Sequence, residues 1–438
     1  MFSRVTTLRQ FVTTKYLRGF SNREELEAWQ ETQVQDLLKT VLPRSPFYTG
    51  WFMGHPLREW RSVPMINKQI MMDNFDSLNT VGIRKKSAFA VALKAEKERD
   101  FSPKLKDITV GLSSGTSGNR GLFIASDYER ACWAGAIMAK VLPTPLWRRQ
   151  KIAFFMRANS NLYTTINHGT IKLSFFDMWK PLDFHLSRLN EYQPTIVVAP
   201  PSILRLLAEE TTKGSLSIAP LKIISVAETL EPLDEMRIKA AFQQTIHQIY
   251  QCTEGFLAAT CSEGTLHLNE DIVVIQKDYV DRESGRFCPV ITDFSRISQP
   301  IIRYRLDDIL VEKKESCACG SCFTALAFIE GRTDDIFYGF SKNEELIPVF
   351  PDFIRRAIIS VHDEIQEYFV IQNNPTDITV SLRVPDITRK EAEGKVDQAI
   401  ADVFVQHGLV RPHINFDLVA TTTSGKLRRI ERRFMPWT

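Results

Sequence analysis

The chain has 438 residues, of which 44% are hydrophobic and 24% charged, and its formal net charge is +3 at pH 7. This is the composition of a globular protein with a full core, and the length favours one large domain with a smaller one. The small net charge and the lack of an apolar run of transmembrane length argue against nucleic acid and membrane partners. We therefore expect a cytoplasmic protein.

The seven cysteines are too few, in a chain of this length, for a disulfide framework. Three of them lie together at Cys317, Cys319 and Cys322, which favours a reducing compartment and a metal site. The first twenty residues carry four basic residues and no acidic one. We interpret them as a basic amphipathic first helix rather than a transit peptide.

In chain order, the first predicted elements are helices at 24–41 and 66–75, separated by a proline-rich irregular stretch. Two apolar runs, 108–110 and 122–124, predict a β-hairpin whose turn is glycine-rich. Buried strands and helices then alternate, which predicts an α/β sheet covered by helices. The strands are predicted at 152–156, 195–199, 223–227 and 246–250, and the helices at 131–141, 183–191, 201–210 and 233–242.

The pattern of predicted secondary structure changes after a β-rich stretch at 267–310. A helix at 353–360, strands at 367–372 and 378–384, a charged helix at 389–406 and a strand at 414–419 predict a small α+β unit. The chain is thus predicted to be α/β, with a large N-terminal domain at 1–332 and a small C-terminal domain at 333–438.

The turn of the hairpin, 111–121, holds four glycines and four small hydroxyl residues. Its backbone N–H groups can curl around an anion, and Arg120 adds a planar charged group, so the segment suits a polyphosphate. It matches neither the Walker A loop nor the dinucleotide fingerprint. The alternative is an ordinary surface loop.

Four further segments carry polar groups, and each segment alone is only a weak indication of a functional site. Thr253 and Glu254 close a strand and suit Mg²⁺ and a phosphate oxygen, or form a simple polar strand end. A carboxylate at 307–308 can accept both hydroxyls of a ribose. The segment 330–335 suits a hinge or a solvated linker, and 425–426 taken alone is a surface turn.

The order of these five segments resembles the adenylate-forming superfamily of acyl-CoA synthetases, in the branch of phenylacetate-CoA ligase and coenzyme F390 synthetase. The resemblance extends over nearly the whole chain and includes the segments 45–48 (Ser-Pro-Phe-Tyr), 201–204 and 227–228. It implies a large domain that binds ATP and the acyl substrate, followed by a small mobile lid domain.

The resemblance also implies roles for individual residues. Lys426 would bridge the substrate carboxylate and the α-phosphate, Thr253 and Glu254 would bind phosphate and Mg²⁺, and Asp334 would be the hinge. The remaining nucleotide-binding residues would be Ser113, Ser114, Gly115, Thr116, Ser117, Gly118 and Arg120 at the phosphates, Ala227, Glu228 and Tyr250 on the adenine side, and Asp308 with Arg332 at the ribose.

The sequence departs from the branch at four places, one of which is the segment 336–340 after the hinge, which follows the branch only loosely. Asn119-Arg120-Gly121 stands where the phosphate loop of relatives continues with Lys-Pro, Gln251 replaces a glycine, and Asp307 replaces the glycine before Asp308. The acyl pocket is expected between the loop and the Tyr250 strand, with contributions from 159–177. The Tyr, His and Asn side chains there favour an aryl or other small acid.

A second group of residues resembles a zinc cluster of some members of this branch. Its members are Cys261, His267, Cys317 and Cys319. Three cysteines and one histidine are a standard tetrahedral zinc set. Free buried thiols and a hydrogen-bonded histidine are the alternative.

These features together predict a ligase that uses ATP and Mg²⁺ to convert a small carboxylic acid into an acyl-adenylate. The acyl group would pass to CoA, a carrier-protein thiol or an amine, and a homodimer is left open. One alternative is a nucleotidyltransferase that adenylylates a hydroxyl, as in coenzyme F390 synthetase. The other is a degenerate protein that binds nucleotide without catalysis.

Overall fold

The structure is a computed structural model that describes residues 2–98, 103–113, 120–143, 145, 147–156, 169–362, 364–417 and 428–436. Its internal contacts divide the chain into two units. The first consists of Met1–Leu306 and Val311–Phe328, and the second of Asp307–Leu310 and Ile329–Thr438. Among the described helices, none is both long enough and apolar enough to cross a membrane.

The first unit begins with helices. They are α1 (Phe2–Val12, continued by a π-helical turn at Thr13–Leu17), α2 (Arg23–Val41), α3 (Pro46–Trp51), α4 (Lys68–Asp73), α5 (Phe75–Leu78) and α6 (Lys85–Glu98), with 3₁₀ turns at Leu42–Arg44 and Leu57–Ser62. The predicted helix at 24–41 is confirmed, and the Asn22 side chain caps it by accepting a hydrogen bond from the Glu25 backbone N–H. The prediction of a single helix at 66–75 was wrong, because the backbone of Asn74 (φ −107°, ψ 14°) separates α4 from α5.

The predicted hairpin is confirmed. Strands β1 (Lys104–Leu105), β2 (Ile108–Leu112) and β3 (Leu122–Ala125) form an antiparallel sheet, in which Leu112 pairs with Leu122. The hairpin therefore holds the two ends of the glycine-rich segment side by side.

A larger sheet of twelve strands forms the centre of the described part of the first unit. Its parallel part consists of β4 (Gln150–Met156), β5 (Ile171–Asp177), β6 (Ile196–Ala199), β7 (Lys222–Ser225) and β8 (Ile246–Cys252), in the order β5-β4-β6-β7-β8. Helices α7 (Asp127–Val141), α8 (Leu182–Tyr192), α9 (Pro201–Lys213) and α10 (Pro232–Phe242) accompany it. Residues 171–177, which the sequence places in the substrate segment, form the edge strand β5.

Alternate residues of the parallel strands enter two separate cores, because successive side chains of a strand point to opposite faces. Phe155 and Val197 pack with α8, α9 and α10, whereas Phe154 and Val198 pack with α7 and with Phe11 of α1. The sheet is therefore covered on both faces, as the continuous apolar runs predict.

The sheet continues from β8 through β9 (Gly255–Thr260), β10 (Leu266–Leu268), β15 (Ala325–Arg332), β14 (Asp308–Glu312), β12 (Arg286–Asp293) and β11 (Val273–Asp281). Strand β13 (Ile301–Arg305) pairs with β12. The prediction of a β-rich stretch between 267 and 310 is thereby confirmed. Strands β14 and β15 contribute residues to both units.

The described part of the second unit contains a 3₁₀ turn at Thr333–Asp335, a two-stranded sheet, a four-stranded sheet and two helices. Its elements are β16 (Phe337–Phe340), β17 (Leu346–Val349), α11 (Pro351–Ile359), β18 (Glu367–Asn374), β19 (Asp377–Arg383), α12 (Arg389–Gln406), β20 (His413–Asp417) and β21 (Ile430–Arg432). Strands β20, β19, β18 and β21 form a sheet in that order, and Val370, Val380 and Ile400 lie in the core beneath it. The predicted class, a large α/β unit followed by a small α+β unit, is confirmed.

Candidate active site

Two of the predicted groups lie at the same edge of the parallel sheet. Ala227 and Glu228 follow β7, and Thr253 and Glu254 follow the neighbouring strand β8. In α/β sheets, ligands bind outside the carboxyl ends of the parallel strands, which is this edge. The strand predicted at 223–227 ends earlier, at Ser225, because Ala227 turns into the left-handed region (φ 69°). A left-handed alanine is strained, and such strain is found at ligand-binding turns.

Glu254 is held by two hydroxyl groups. Thr253 Oγ1 donates to Glu254 Oε2 at 2.8 Å, and the Tyr304 hydroxyl donates to Oε1 at 3.1 Å. A carboxylate beside a threonine hydroxyl offers the hard oxygen ligands that Mg²⁺ prefers, so the residues present fit the ion. The sequence analysis gave no role to Tyr304, which lies in strand β13.

The glycine-rich segment is closed at its base by two hydrogen bonds. Ser113 N donates to Gly121 O at 2.8 Å, and Gly121 N donates to Ser113 Oγ at 2.7 Å. The other predicted phosphate-binding residues of the loop, Ser114, Gly115, Thr116, Ser117 and Gly118, lie outside the described residues.

Arg120 forms an ion pair that the sequence did not predict. Its Nη1 and Nη2 lie 2.5 and 3.0 Å from the two carboxylate oxygens of Glu96 on α6, and its Nε donates to Ser113 O at 3.3 Å. The guanidinium is thus already paired with an anion within the protein.

Residues 296–299 connect the hairpin to the strand end that carries Glu254. Gln299 Oε1 accepts a hydrogen bond from Ile124 N in β3 at 2.9 Å, while Arg296 Nη1 donates to Thr253 O at 3.0 Å. Buried Glu129 accepts bonds from Ile297 N and Ser298 N, both at 2.7 Å. These side chains fix the base of the glycine-rich segment relative to Glu254, and sequence reasoning missed all three.

Tyr250, which is predicted to lie on the adenine side, is buried within β8. The next residue, Gln251, accepts a hydrogen bond from Trp133 Nε1 of α7 at 3.2 Å. The glutamine that replaces the glycine of relatives is therefore anchored to a helix of the covering layer.

The predicted ribose group consists of neighbours in the second unit. Asp308 begins β14 and Arg332 ends β15, and these strands are adjacent in the sheet. Burial opposes the charge of Arg332, but Asp308, Asp334 and Asp307 outweigh it and raise the pKa of the guanidinium. Arg332 Nη2 lies 3.2 Å from Asp307 Oδ2. The residue that replaces a glycine before Asp308 is thus an ion-pair partner of Arg332.

The predicted hinge lies in the 3₁₀ turn, next to a buried carboxylate. Asp335 Oδ1 accepts a hydrogen bond from Arg428 Nε at 2.6 Å, and burial raises the pKa of Asp335. Gly331 has φ 143°, and a Cβ there would lie 3.2 Å from Asp335 Oδ2, so the position requires glycine. The predicted catalytic residue Lys426 lies outside the described residues.

The four predicted metal ligands come together in the first unit. The ligand atoms of Cys261, His267, Cys317 and Cys319 all lie within 4.8 Å of one another. The sulfurs of Cys261 and Cys317 are 3.8 Å apart. A tetrahedral zinc with Zn–S bonds of about 2.3 Å sets two sulfurs about 3.8 Å apart, so the cluster fits that ion.

The histidine and one thiol of this cluster have properties that favour metal binding. His267 Nδ1 lies 3.1 Å from the Phe323 carbonyl oxygen, which can only accept, so Nδ1 carries the proton and Nε2 is left with its lone pair. A hydrogen bond from Thr265 is the main cause that lowers the pKa of Cys317 to about 6. Cys322 does not belong to the group.

Comparisons with known proteins agree with this architecture. No protein-family model matches the chain. It is 22% identical over 198 residues to the phenylacetate-coenzyme A ligase of Thermus thermophilus, and 24% identical over 205 residues to the protein CapK of Staphylococcus aureus. These matches cover 42% and 46% of the chain and 43% and 44% of the relatives, so the chain matches less than half the length of either.

Among solved structures, the chain is similar to a 2-hydroxyisobutyryl-CoA ligase in its postadenylation state with an acyl-AMP. The TM-score is 0.70 at 16% identity, over 94% of this chain and 90% of that one. The chain therefore has the fold of the adenylate-forming ligases and, as its motifs predict, resembles the phenylacetate-CoA ligase branch of that superfamily.

Proposed function

We propose that this protein uses ATP to activate a small carboxylic acid. A carboxylate oxygen of the acid attacks the α-phosphorus, the bond to the bridging oxygen of the β-phosphate breaks, and pyrophosphate leaves with its electron pair. A thiol, with CoA as the leading candidate, or an amine then attacks the acyl carbon, and AMP leaves. The similarity to a phenylacetate-coenzyme A ligase and the fold support this class of reaction.

The observation that carries the proposal is the position of Thr253 and Glu254 at the carboxyl edge of the parallel sheet, with the carboxylate oriented by Tyr304. When bound, Mg²⁺ neutralises the charge of the pyrophosphate group. Glu254 and Thr253 would hold it, the loop that begins at Ser113 would bind the phosphates, and Asp308 with Arg332 would bind the ribose.

Two finer points belong to the same proposal. The acid is aryl or otherwise small, because 159–168 carries the Tyr, His and Asn side chains expected to line its pocket; residues 157–168 lie outside the described ranges. Lys426 holds the carboxylate and the α-phosphate together while the acyl-adenylate forms.

We also propose that Cys261, His267, Cys317 and Cys319 bind one structural zinc ion. A closed set of four protein ligands leaves no open position for a substrate, so the ion would stabilise the fold rather than take part in the reaction. The 3.8 Å sulfur separation and the orientation of His267 support this assignment.

Product analysis tests the reaction. The protein, ATP, Mg²⁺, CoA and a panel of carboxylic acids are combined, and the nucleotide products are separated. Free AMP and an acyl thioester are expected with at least one acid. AMP attached to a hydroxyl of the substrate would instead assign the protein to the nucleotidyltransferases.

A further inference from the structure

Strand β13, which carries Tyr304, contains one residue more than a regular ladder with β12 can pair. Asp293 pairs with Ile301, and Ile291 pairs with Tyr304. Two residues of β13 therefore lie opposite the single residue Thr292. This arrangement is a β-bulge, a feature that is common beside active sites, where it redirects a side chain.

The bulge decides on which face of the sheet Tyr304 lies. Side chains of a regular strand alternate between the two faces, so residues three apart point to opposite faces. Ile301 and Tyr304 are three apart, yet their partners in β12 are only two apart and share a face. Without the extra residue, Tyr304 would turn to the other face, and its hydroxyl would lose the hydrogen bond to Glu254 Oε1.

The backbone of the bulge is strained at Arg303, whose φ of 49° lies in the left-handed region. A residue with a Cβ rarely adopts this conformation, so surrounding groups must hold it there. The Arg303 side chain does not do so through its buried Nε and Nη1, which meet no hydrogen-bond partner among the described residues. The bulge is therefore held through its backbone.

Two side-chain hydroxyl groups bind the backbone N–H groups of the bulge. Thr292 Oγ1 accepts a hydrogen bond from Arg303 N at 3.0 Å, and the Tyr48 hydroxyl accepts one from Ile302 N at 3.3 Å. The Tyr48 hydroxyl also donates to Pro300 O at 3.2 Å, so it bonds to this part of the chain at two points. Both hydroxyl-bearing residues are buried, and loss of either hydroxyl would leave a backbone N–H without this acceptor.

We propose that Tyr48 is a positioning residue of the active site, because its hydroxyl holds the bulge that brings the Tyr304 hydroxyl to Glu254. It acts through Tyr304 rather than on the metal or the substrate. Tyr48 closes the Ser-Pro-Phe-Tyr segment at 45–48, which belongs to the resemblance but carried no predicted role. All of these residues lie in the first unit. The inference rests on the proposed function, since it takes Glu254 to bind Mg²⁺.

Nucleotide binding with and without magnesium tests this role and needs no knowledge of the acid. Isothermal titration measures the affinity of the full-length protein for α,β-methylene-ATP, which cannot release pyrophosphate, in buffer with excess Mg²⁺ and in magnesium-free buffer. Tyr304→Phe should weaken binding with Mg²⁺ by about tenfold, near the low end of the usual effect of removing a hydrogen-bonding partner from a metal-binding carboxylate. Tyr48→Phe should lose the same amount or less, and neither variant should change binding without Mg²⁺.

The double variant separates positioning from a general structural effect. Because Tyr48 acts through Tyr304, the protein with both substitutions should lose no more affinity than Tyr304→Phe alone. Thr292→Val removes the other hydroxyl of the bulge and should reproduce the loss, which keeps the test available if Tyr48→Phe does not fold. Tyr279→Phe is the matched control: its hydroxyl donates to Glu312 Oε2 at 3.1 Å in the same sheet, and its removal should change neither affinity.

Three results would overturn the role of Tyr48. They are a wild-type response to Mg²⁺ in Tyr48→Phe, an equal loss in both buffers, and a double variant whose loss is the product of the two single fold-changes. A wild-type protein that binds the analogue equally well with and without Mg²⁺, or not at all, would contradict the proposed function itself. The two failures are thereby distinguished.

Discussion

Glu254 is oriented before any ligand binds, because each of its two oxygens accepts a hydrogen bond from a neighbouring hydroxyl. The resemblance pointed to Glu254 and Thr253 from local motifs alone. Tyr304 could not be assigned as their partner in this way, since it approaches Glu254 only when β8 and β13 have taken their places in the sheet. Motifs thus predicted the groups, whereas the contacts that orient them depend on long-range pairing.

Glu254→Gln should lower the rate of adenylation by about a hundredfold or more, because an oriented charge that stabilises the transition state is lost. The measurement is the initial rate at saturating ATP over a range of Mg²⁺ concentrations. Tyr304→Phe is the matched control and should cost much less, since the carboxylate remains. Near wild-type turnover in Glu254→Gln would place the magnesium site elsewhere.

His247 makes stability depend on pH. Burial, with a smaller contribution from the nearby charge of Lys222, lowers the pKa of His247 from 6.5 to about 4. The unfolded chain therefore takes up a proton before the folded protein does, and the contribution of this group to stability is lost as pH falls from 6.5 to 4. It is fully present above pH 6.5.

We expect His247→Gln to flatten the decline of the melting temperature between pH 6.5 and 4. Thermal unfolding of both proteins across this range provides the measurement, and the difference between them isolates His247 from the other titrating groups. If the two curves run parallel, His247 does not titrate as the structure indicates.

At the scale of elements, the hairpin is attached to the sheet through residues 296–299 and through helix α7. Glu129 makes two sets of hydrogen bonds. It completes a capping box with Ser126 at the start of α7, and its carboxylate accepts hydrogen bonds from the backbone N–H groups of residues 297 and 298. The capping box is visible in the sequence as Ser-x-x-Glu. The hydrogen bonds from residues 297 and 298 join segments far apart in the chain, so no local sequence pattern predicts them.

Glu129→Ala should destabilise the protein by about 3 kcal/mol, because it leaves buried backbone donors without an acceptor. Ser126→Ala removes only the cap and should cost about 1 kcal/mol. Denaturant titration of both variants gives the comparison. Equal losses would show that the bonds to 297–298 add nothing to stability.

The cysteine–histidine cluster links the turn after β9, strand β10 and the segment between β14 and β15. Purified protein should carry close to one zinc per chain, and Cys317→Ser should lower both zinc content and melting temperature, because metal binding contributes to folding. Cys322→Ser, nearby but outside the cluster, is the control and should retain the metal. Carefully prepared wild type without zinc by elemental analysis would refute the site.

At the scale of the whole molecule, alternating buried strands and helices were predictable because each parallel strand is a continuous apolar run. Among the elements that were not predicted, helix α6 has a mixed, strongly charged surface, and edge strand β5 (IKLSFFD) lies within the expected substrate segment. The sheet order places β15 between β14 and β10, and pairing of such distant strands leaves no periodic signal in the sequence.

The resemblance implies that the small unit turns about Asp334 between the two half-reactions. Lys426→Ala should then be defective in forming acyl-AMP, by about a hundred- to a thousandfold, yet convert supplied acyl-AMP to product at a near-normal rate. Asp334→Pro, which fixes φ at the hinge, should spare adenylation and impair the second step. Separate assays of both half-reactions give the answer, and equal damage to both by Lys426→Ala would contradict domain alternation.

Acid-dependent exchange of labelled pyrophosphate into ATP tests the central claim most directly, because it requires reversible formation of an acyl-adenylate and no acceptor. We expect exchange with at least one small or aryl acid, with Mg²⁺ required and with the exchange lost in Glu254→Gln. A wild-type protein that binds ATP but shows no exchange with any acid across a broad panel would contradict the account.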